Sequence, residues 1–281
     1  MNRVASKNVL AELHTHSTAS DGQYAPGALM VLCKRSGVEV VSLTDHDTVA
    51  GCAQAKLVAE ELGMTFLTGI EVSAQAGRSI HILGYGVRLD DEDFSRVMDE
   101  RRQLRLNRME RMIERACALG MEVTMEDVVR FSGEGNKARP HLARALVARG
   151  YIGSVAEAFE RYLGDGKPVH VPSPWPTVPD AIAEIHAAGG IAVLAHPGLY
   201  DMDEHIEGWI DAGLDGIEVH HPDHSASTAS RYLTMALRRG LLTTGSSDFH
   251  GPAVKSGQVL GQTHVRRDWI DDLLERTGAT R

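Results

Sequence analysis

Short β-branched runs alternate with helical patterns along most of this chain, a rhythm that points to an α/β fold with mostly parallel strands. Val9 to Leu13 reads as a strand, Pro26 to Ser36 as a helix with proline in its first turn, and Val38 to Leu43 as a buried strand. Gly51 to Leu62 looks helical, and Thr65 to Val72 and Ser79 to Tyr85 look extended. Further on, helix Val178 to Ala188 leads to strand Ile191 to Ala195, helix His205 to Ala212 to strand Gly216 to Val219, and helix Ala226 to Arg239 to strand Leu241 to Ser246. About seven such units suggest a closed or distorted barrel. No internal repeat competes with this reading.

The rhythm breaks once, from about Asp91 to Gly166, where helical signals follow one another with no convincing strand between them. A long helix is expected over Asp91 to Leu119, opened by acidic residues and stopped at Gly120. Shorter helices are expected near Met125 to Phe131, His141 to Arg149 and Val155 to Tyr162. Pro168, Pro172, Pro174, Pro176 and Pro179 then punctuate the return. The expected organisation is a barrel built from residues 1–90 and 168–281, with a helical insert at 91–167.

Composition narrows the function. With 281 residues, 43% of them hydrophobic and 24% charged, the chain can bury a sizeable core, which excludes disorder as its main state. A formal net charge of -9 argues against an extended nucleic-acid surface, so any polyanion must be met locally. Cys33, Cys52 and Cys117 give neither a disulfide framework nor CxxC spacing, so a reducing cytoplasm is the expected home. Neither a secretion signal nor an apolar run of ~20 residues is visible, so no membrane partner is expected. Histidine, by contrast, is abundant, with 14 residues.

Those histidines gather where the expected strands end. His14 and His16 follow the first strand at i and i+2, a spacing that aims both imidazoles to one face if the strand continues. Asp21 lies in the same loop, His46 lies between Asp45 and Asp47 just beyond the second strand, Glu71 ends the third run, and His81 lies in the fourth. His196 follows the strand Ile191 to Ala195, and Asp248 and His250 follow the last one. In a parallel barrel, strand ends and their loops build the active face. Any one of these residues alone would read as a turn residue or helix cap. Six histidines and three acids together, without cysteine, suit borderline divalent ions such as Zn, Mn or Fe, and exceed what one ion can use.

The segments Leu13-His14-Thr15-His16-Ser17, Ser20-Asp21-Gly22, Thr44-Asp45-His46-Asp47-Thr48, Gly69-Ile70-Glu71-Val72-Ser73, His81-Ile82, Ala195-His196-Pro197 and Gly245-Ser246-Ser247-Asp248-Phe249-His250 resemble the PHP (polymerase and histidinol phosphatase) family over almost the whole chain. The resemblance implies a distorted seven-stranded β/α barrel with its helical insert over a site for two to three divalent ions (Mn, Zn or Fe). Carried over by position, the first ion would take His14, His16, Glu71 and Asp248, with Glu71 bridging to a second held also by His81 and His196. A third would use Asp21, His46 and His250, with Asp21 standing where some members have histidine. Asp45 and Asp47 are expected to orient loops or imidazoles rather than bind an ion.

Such a site implies phosphoester hydrolysis by a metal-bridging hydroxide, with Asp248, His196, Glu71 and Arg139 as the catalytic set. No GxSxG elbow or Walker A loop offers another route. Substrate donors are expected from Arg139, His141, Lys167 and His221, of which Arg139 would clamp a phosphate bidentately. In the long helix, seven arginines are interleaved with acids and read mostly as an exposed face with i, i+4 ion pairs, with Arg102 and Arg105 facing the cleft or covering core residues.

The segments Ala138-Arg139-Pro140-His141 and Tyr162-Leu163 through Lys167 are similar to PHP enzymes that remove the 3'-phosphate of nucleoside 3',5'-bisphosphates, and to relatives that trim 5'-phosphorylated RNA. The expected partner is thus a small phosphorylated nucleotide or short RNA, bound by a monomer or small homo-oligomer. The alternatives are a histidinol-phosphate or other small phosphomonoester phosphatase, and a non-catalytic metal-binding module.

Overall fold

The computed structural model describes residues 8–172, 174–255 and 257–279. The first half of the barrel contains β1 (Asn8–Glu12), α1 (Pro26–Arg35), β2 (Val40–Leu43), α2 (Cys52–Glu61), β3 (Thr65–Gln75) and β4 (Ser79–Tyr85). Four helices follow: α3 (Glu92–Ala118), α4 (Met125–Ser132), α5 (Arg139–Ala148) and α6 (Val155–Ala158), the last running into a π-helical turn at Phe159–Leu163. The chain then returns through α7 (Val178–Ala187), β5 (Ile191–Leu194), α8 (Asp203–Asp211), β6 (Gly216–His220), α9 (Ala226–Arg239), β7 (Leu242–Gly245), β8 (His264–Arg266) and α10 (Arg267–Thr277).

The fold is α/β, with eight strands in the order β7-β6-β5-β4-β3-β2-β1-β8 rather than the seven expected. The extra strand, β8, is three residues long and pairs antiparallel with β1, too short for alternation to reveal it. Strand sense is more mixed than the alternation suggested. β1-β2, β2-β3, β5-β6 and β6-β7 are parallel. The β3-β4 hairpin and the β4-β5 pair are antiparallel. β3 is long enough to change partners, running parallel to β2 over Thr65 to Thr68 and antiparallel to β4 over Gly69 to Gln75. Glu71 lies just past that change, bridged on its other side to His46.

The barrel nearly closes where β1 and β7 run past their regular ends. Thr15 bridges Phe249 in parallel, and His16 N donates to Phe249 O at 2.9 Å. Every residue of β2, β5 and β7 is buried, as expected of strands covered on both faces. Val9, Leu13, Leu67, Leu83, Val193 and Ala195 pack with Trp269, Ile270 and Leu273 of α10.

α3 is 27 residues, about 40 Å long. Asp91 caps it by accepting from Phe94 N at 2.9 Å, and Glu92 and Asp93 complement the dipole of its first turn. Its two halves belong to different cores. Phe94 and Met98 join the apolar cluster around β3, β4 and α7. Met109, Met112 and Ala116 instead pack with Val128, Leu142, Leu146 and Leu163 in a separate cluster of the helical segment.

Candidate active site

Strand ends and the loops after them deliver most of the donors, while Glu71 and His81 lie within β3 and β4. His14 and His16 lie just past β1 on the irregular stretch that meets Phe249, and their ring centroids are 5.2 Å apart, so the i, i+2 spacing does converge them. His14 Nε2 lies 3.4 Å from Glu71 Oε2 and 3.3 Å from Asp248 Oδ1. His16 Nε2 lies 3.3 Å from each of the same two oxygens. Four donor atoms about 2.1 Å from one tetrahedrally held ion would be about 3.4 Å apart. His14 Nε2, His16 Nε2 and Glu71 Oε2 are buried without a hydrogen-bond partner among the described residues. Orphaned buried donors at this spacing fit a divalent ion.

Two further groups adjoin this one. Glu71 Oε1 is 2.8 Å from His81 Nδ1 and 3.2 Å from His196 Nε2, so the two oxygens of Glu71 face different imidazoles. On the other flank, Asp21 is 3.4 Å from His250 Nε2 and 3.9 Å from His46 Nε2. His16, Asp21, His46 and His250 form a cluster able to hold an ion, as do His14, Glu71 and His196. All nine expected ligand positions therefore meet in one site.

The charge balance points the same way. Burial alone would raise the Glu71 pKa, but His46, His81 and His14 hold it well below the usual carboxylate range. Asp21 and Asp248 are likewise held well below that range against burial, chiefly by His46 and His250 for Asp21 and by His250 and His14 for Asp248. Burial would depress His16, yet Asp248 and Glu71 raise it to about 10. Three buried acids thus draw in positive charge, as protons or as bound cations.

A second ring of side chains sets the orientation of these donors. Glu218 accepts from His14 Nδ1 at 3.2 Å and from His196 N at 2.8 Å, which leaves the His14 Nε2 lone pair facing the site. His250 Nδ1 donates to Asp248 O at 2.9 Å, with the same result at its Nε2. Asp45 accepts from Ser17 N and the hydroxyls of Ser17 and Ser20, fixing the loop after His16. Buried Glu12 accepts from Ser246, Ser247 and Gly261 beneath the end of β7. Three of the four described non-glycine residues with positive φ are Asp47 (48°), His196 (28°) and Asp248 (49°). Backbone strain is therefore concentrated at the site.

Glu12, Glu218 and Lys255 were not anticipated from sequence. Glu12 and Glu218 could have been found, because an acid between buried apolar neighbours in a strand needs a partner. Lys255 Nζ is 3.4 Å from Asp248 Oδ2 and 3.0 Å from Asp223, on a loop with no pattern to read. His221 Nδ1 accepts from Asp223 N, so its Nε2 points as a donor to Asp248 Oδ2 at 3.5 Å. His220 stacks on Trp269, and His224 bonds to Val219 O and Gly198 N.

A cleft of about 270 Å³ opens above the donors, with Arg105, Arg108, Arg139, Phe159 and Trp175 opposite. A neighbouring hollow of about 180 Å³ shares Ser79, Arg108, Arg139 and Trp175. Arg139 is held by Asp165 at 2.7 Å. Arg108 donates to Val171 O at 2.8 Å and has no ion-pair partner among the described residues. Burial and the charges of Arg139 and Arg105 push its pKa down to about 9.

Two sequence expectations need correction. The inward face of α3 carries Arg101, Arg105 and Arg108, whereas Arg102 is exposed, because i, i+4, i+7 spacing defines a face without saying which one turns in. Lys167 is exposed and does not line the cleft. His141, an expected substrate donor, is buried under the first turn of α5, where Nδ1 accepts from Ala138 N, which leaves Nε2 as its N–H donor, and burial lowers its pKa to about 4.

The PHP domain family model matches residues 12–106. The 3',5'-nucleoside bisphosphate phosphatase of Chromobacterium violaceum is 34% identical over 259 residues, covering 90% of each chain. The chain belongs to the PHP family. The 5'-3' exoribonuclease of Haemophilus influenzae is 34% identical over 250 residues, covering 86% of this chain and 90% of its own. A solved Bifidobacterium adolescentis protein described as a metal-dependent phosphoesterase matches with a TM-score of 0.87 and 33% identity, over 95% of this chain and 96% of that one. As a PHP phosphoesterase the protein is a hydrolase acting on phosphoesters, of a metal-dependent class. No described helix is long and apolar enough to cross a membrane.

Proposed function

We propose that the protein removes the 3'-phosphate of nucleoside 3',5'-bisphosphates, such as adenosine 3',5'-bisphosphate, and acts also on short 5'-phosphorylated RNA. The observation behind this reading is the wall of Arg108 and Arg139 facing the histidine and carboxylate floor across one cleft. A substrate with two anionic ends suits two cationic surfaces, one made of guanidinium and one of bound ions. Arg108, buried and lacking a carboxylate partner among the described residues, is the stronger candidate to meet the 5'-phosphate. Arg139 would exchange Asp165 for the same phosphate. Trp175 and Phe159 offer apolar faces to the nucleoside between the two ends.

In this reading two to three divalent ions (Mn, Zn or Fe) are held by His14, His16, Glu71 and Asp248, by Glu71, His81 and His196, and by Asp21, His46 and His250. Bound there, they would polarise phosphoryl oxygens and lower the pKa of water. Glu218 keeps His14 presenting Nε2, and His221 and Lys255 hold the outer oxygen of Asp248 so that its inner oxygen faces His14 and His16. Helices of residues 91–167 act as a cap that brings the arginine wall over the floor.

The test is kcat/KM for adenosine 3',5'-bisphosphate against 3'-AMP. The bisphosphate should be preferred, and Arg108→Ala should abolish most of the preference. Equal rates in the unaltered enzyme would remove the assigned 5'-phosphate clamp, and faster turnover of histidinol phosphate would replace the substrate class.

A further inference from the structure

His46 belongs to the barrel, yet the segment His46-Asp47 is gripped from the helical segment on two sides. From α3, Arg105 Nε donates to Asp47 Oδ2 at 2.8 Å, with Nη2 paired to the same oxygen and bonded to Ser73 Oγ at 2.8 Å. Arg101 reaches Asp47 Oδ1 at 3.1 Å and Ser73 O at 2.8 Å, and is anchored on its far side by Glu184. From the α4-α5 loop, Asn136 Nδ2 donates to the His46 carbonyl at 2.7 Å. That loop is docked on the barrel by Asn136 N bonding to Ala19 O at 2.9 Å, and at Gly135, where a Cβ would lie 2.1 Å from Thr18 O.

The barrel supplies only part of the support for this segment. Asp47 N donates to Glu71 O at 2.9 Å, and Asp47 Oδ1 accepts from Ser73 N at 2.7 Å. Asp47 holds a φ of 48°, a left-handed conformation that a non-glycine residue keeps only where its surroundings enforce it. Among the described residues, Arg101, Arg105 and Asn136 make the side-chain hydrogen bonds from the helical segment to the backbone and carboxylate beside the His46 ring, which sits between Glu71 and Asp21.

We propose that Arg101, Arg105 and Asn136 are positioning residues for His46, so that docking of the helical segment sets the affinity of the Asp21, His46 and His250 group for its ion. The inference rests on the reading of that group as an ion site. Its consequence is that the segment carrying the phosphate-facing arginines also controls the outermost ion position, which links substrate capture to metal loading.

The experiment is a manganese titration of the metal-depleted protein, with bound Mn per chain counted by elemental analysis after dialysis. The variants are Asn136→Ala, Arg105→Ala, Arg105→Lys, His46→Ala, and Leu142→Ala as a destabilised control within the helical core. Asn136→Ala and Arg105→Lys should each weaken the loosest Mn roughly 10- to 100-fold while the tighter equivalents bind as before. Arg105→Lys should lose less than Arg105→Ala, and Leu142→Ala should leave the titration unchanged. Wild-type Mn affinity at every position in Asn136→Ala and Arg105→Ala, alongside a loss in His46→Ala, overturns the positioning role alone. An unchanged titration in His46→Ala overturns the ion-site reading together with it.

Discussion

The ring of strand ends and the face of α3 place charged residues in opposite ways. In the ring each donor is carried by a strand or by the loop that follows it, and the strand pairing brings donors from different strands together. Along α3 the charged residues recur at helical spacing, and the face that turns inward is chosen by Phe94, Met98, Met109 and Met112. Chemistry built on strand ends is therefore written residue by residue, while chemistry on a helix depends on which stripe is buried. Perturbing the two regions should give different signatures.

The largest effect belongs to the floor. Asp248→Ala, or removal of divalent ions by a chelator, should remove several kcal/mol of transition-state stabilisation, about 10³-fold or more in kcat. A steady-state assay checks this, and near-wild-type activity in Asp248→Ala would remove Asp248 from the catalytic floor. Next, Leu142→Ala opens a cavity in the helical core and should cost about 2–5 kcal/mol there. Denaturant melts read by hydrogen exchange should show the loss in residues 91–167 and little in the barrel, and a uniform loss would mean that the two regions unfold as one.

Glu218→Gln should leave the fold intact but weaken ion binding roughly 10- to 100-fold, because His14 loses the carboxylate that orients it. Arg108→Ala should lower kcat/KM for a 5'-phosphorylated substrate by roughly 10- to 100-fold, since hydrogen bonds to charged groups contribute about 1.5–3 kcal/mol. Turnover of 3'-AMP should hardly change, which separates the wall from the floor.

The smallest effect is a pH signature in the helical segment. Arg149 and Thr124 hold the Asp127 pKa down to about 2. A carboxylate depressed in the folded state stabilises it above the unfolded value of about 3.9, and that contribution is lost as pH falls toward 2. The melting-temperature gap between the protein and Asp127→Asn should therefore be open at pH 7 and close between about pH 4 and pH 2. A gap independent of pH would assign it to helix capping geometry instead.

The legibility of the sequence follows the same division. Asp248 could be read because a strand end is a local signal; Glu71 lies inside β3, which runs on to Gln75 rather than ending there as expected, and β8 could not be read because three residues carry no period. Glu218 escaped notice as one acid inside an apolar strand, although its burial requires the partners it finds in His14 and His196. Arg101 and Arg108 were hidden by their acidic neighbours, which imitate a solvated face. Lys167 belongs to a segment similar to nucleotide-binding relatives, but its side chain is exposed, and a local resemblance does not fix which way a loop side chain turns. Long-range contacts such as Asn136 to His46, 90 residues apart, leave no trace in local pattern.

The central claim is that one cleft reads two phosphates, one by arginine and one by bound ions. A crystal structure with Mn and adenosine 5'-monophosphate, the expected product, tests it most directly. The 5'-phosphate should lie about 2.7–2.9 Å from the guanidinium groups of Arg108 and Arg139, with the ribose 3'-hydroxyl turned toward Glu71 and Asp248. A 5'-phosphate seated among His14, His16 and Asp248, with Arg108 and Arg139 untouched, would contradict it.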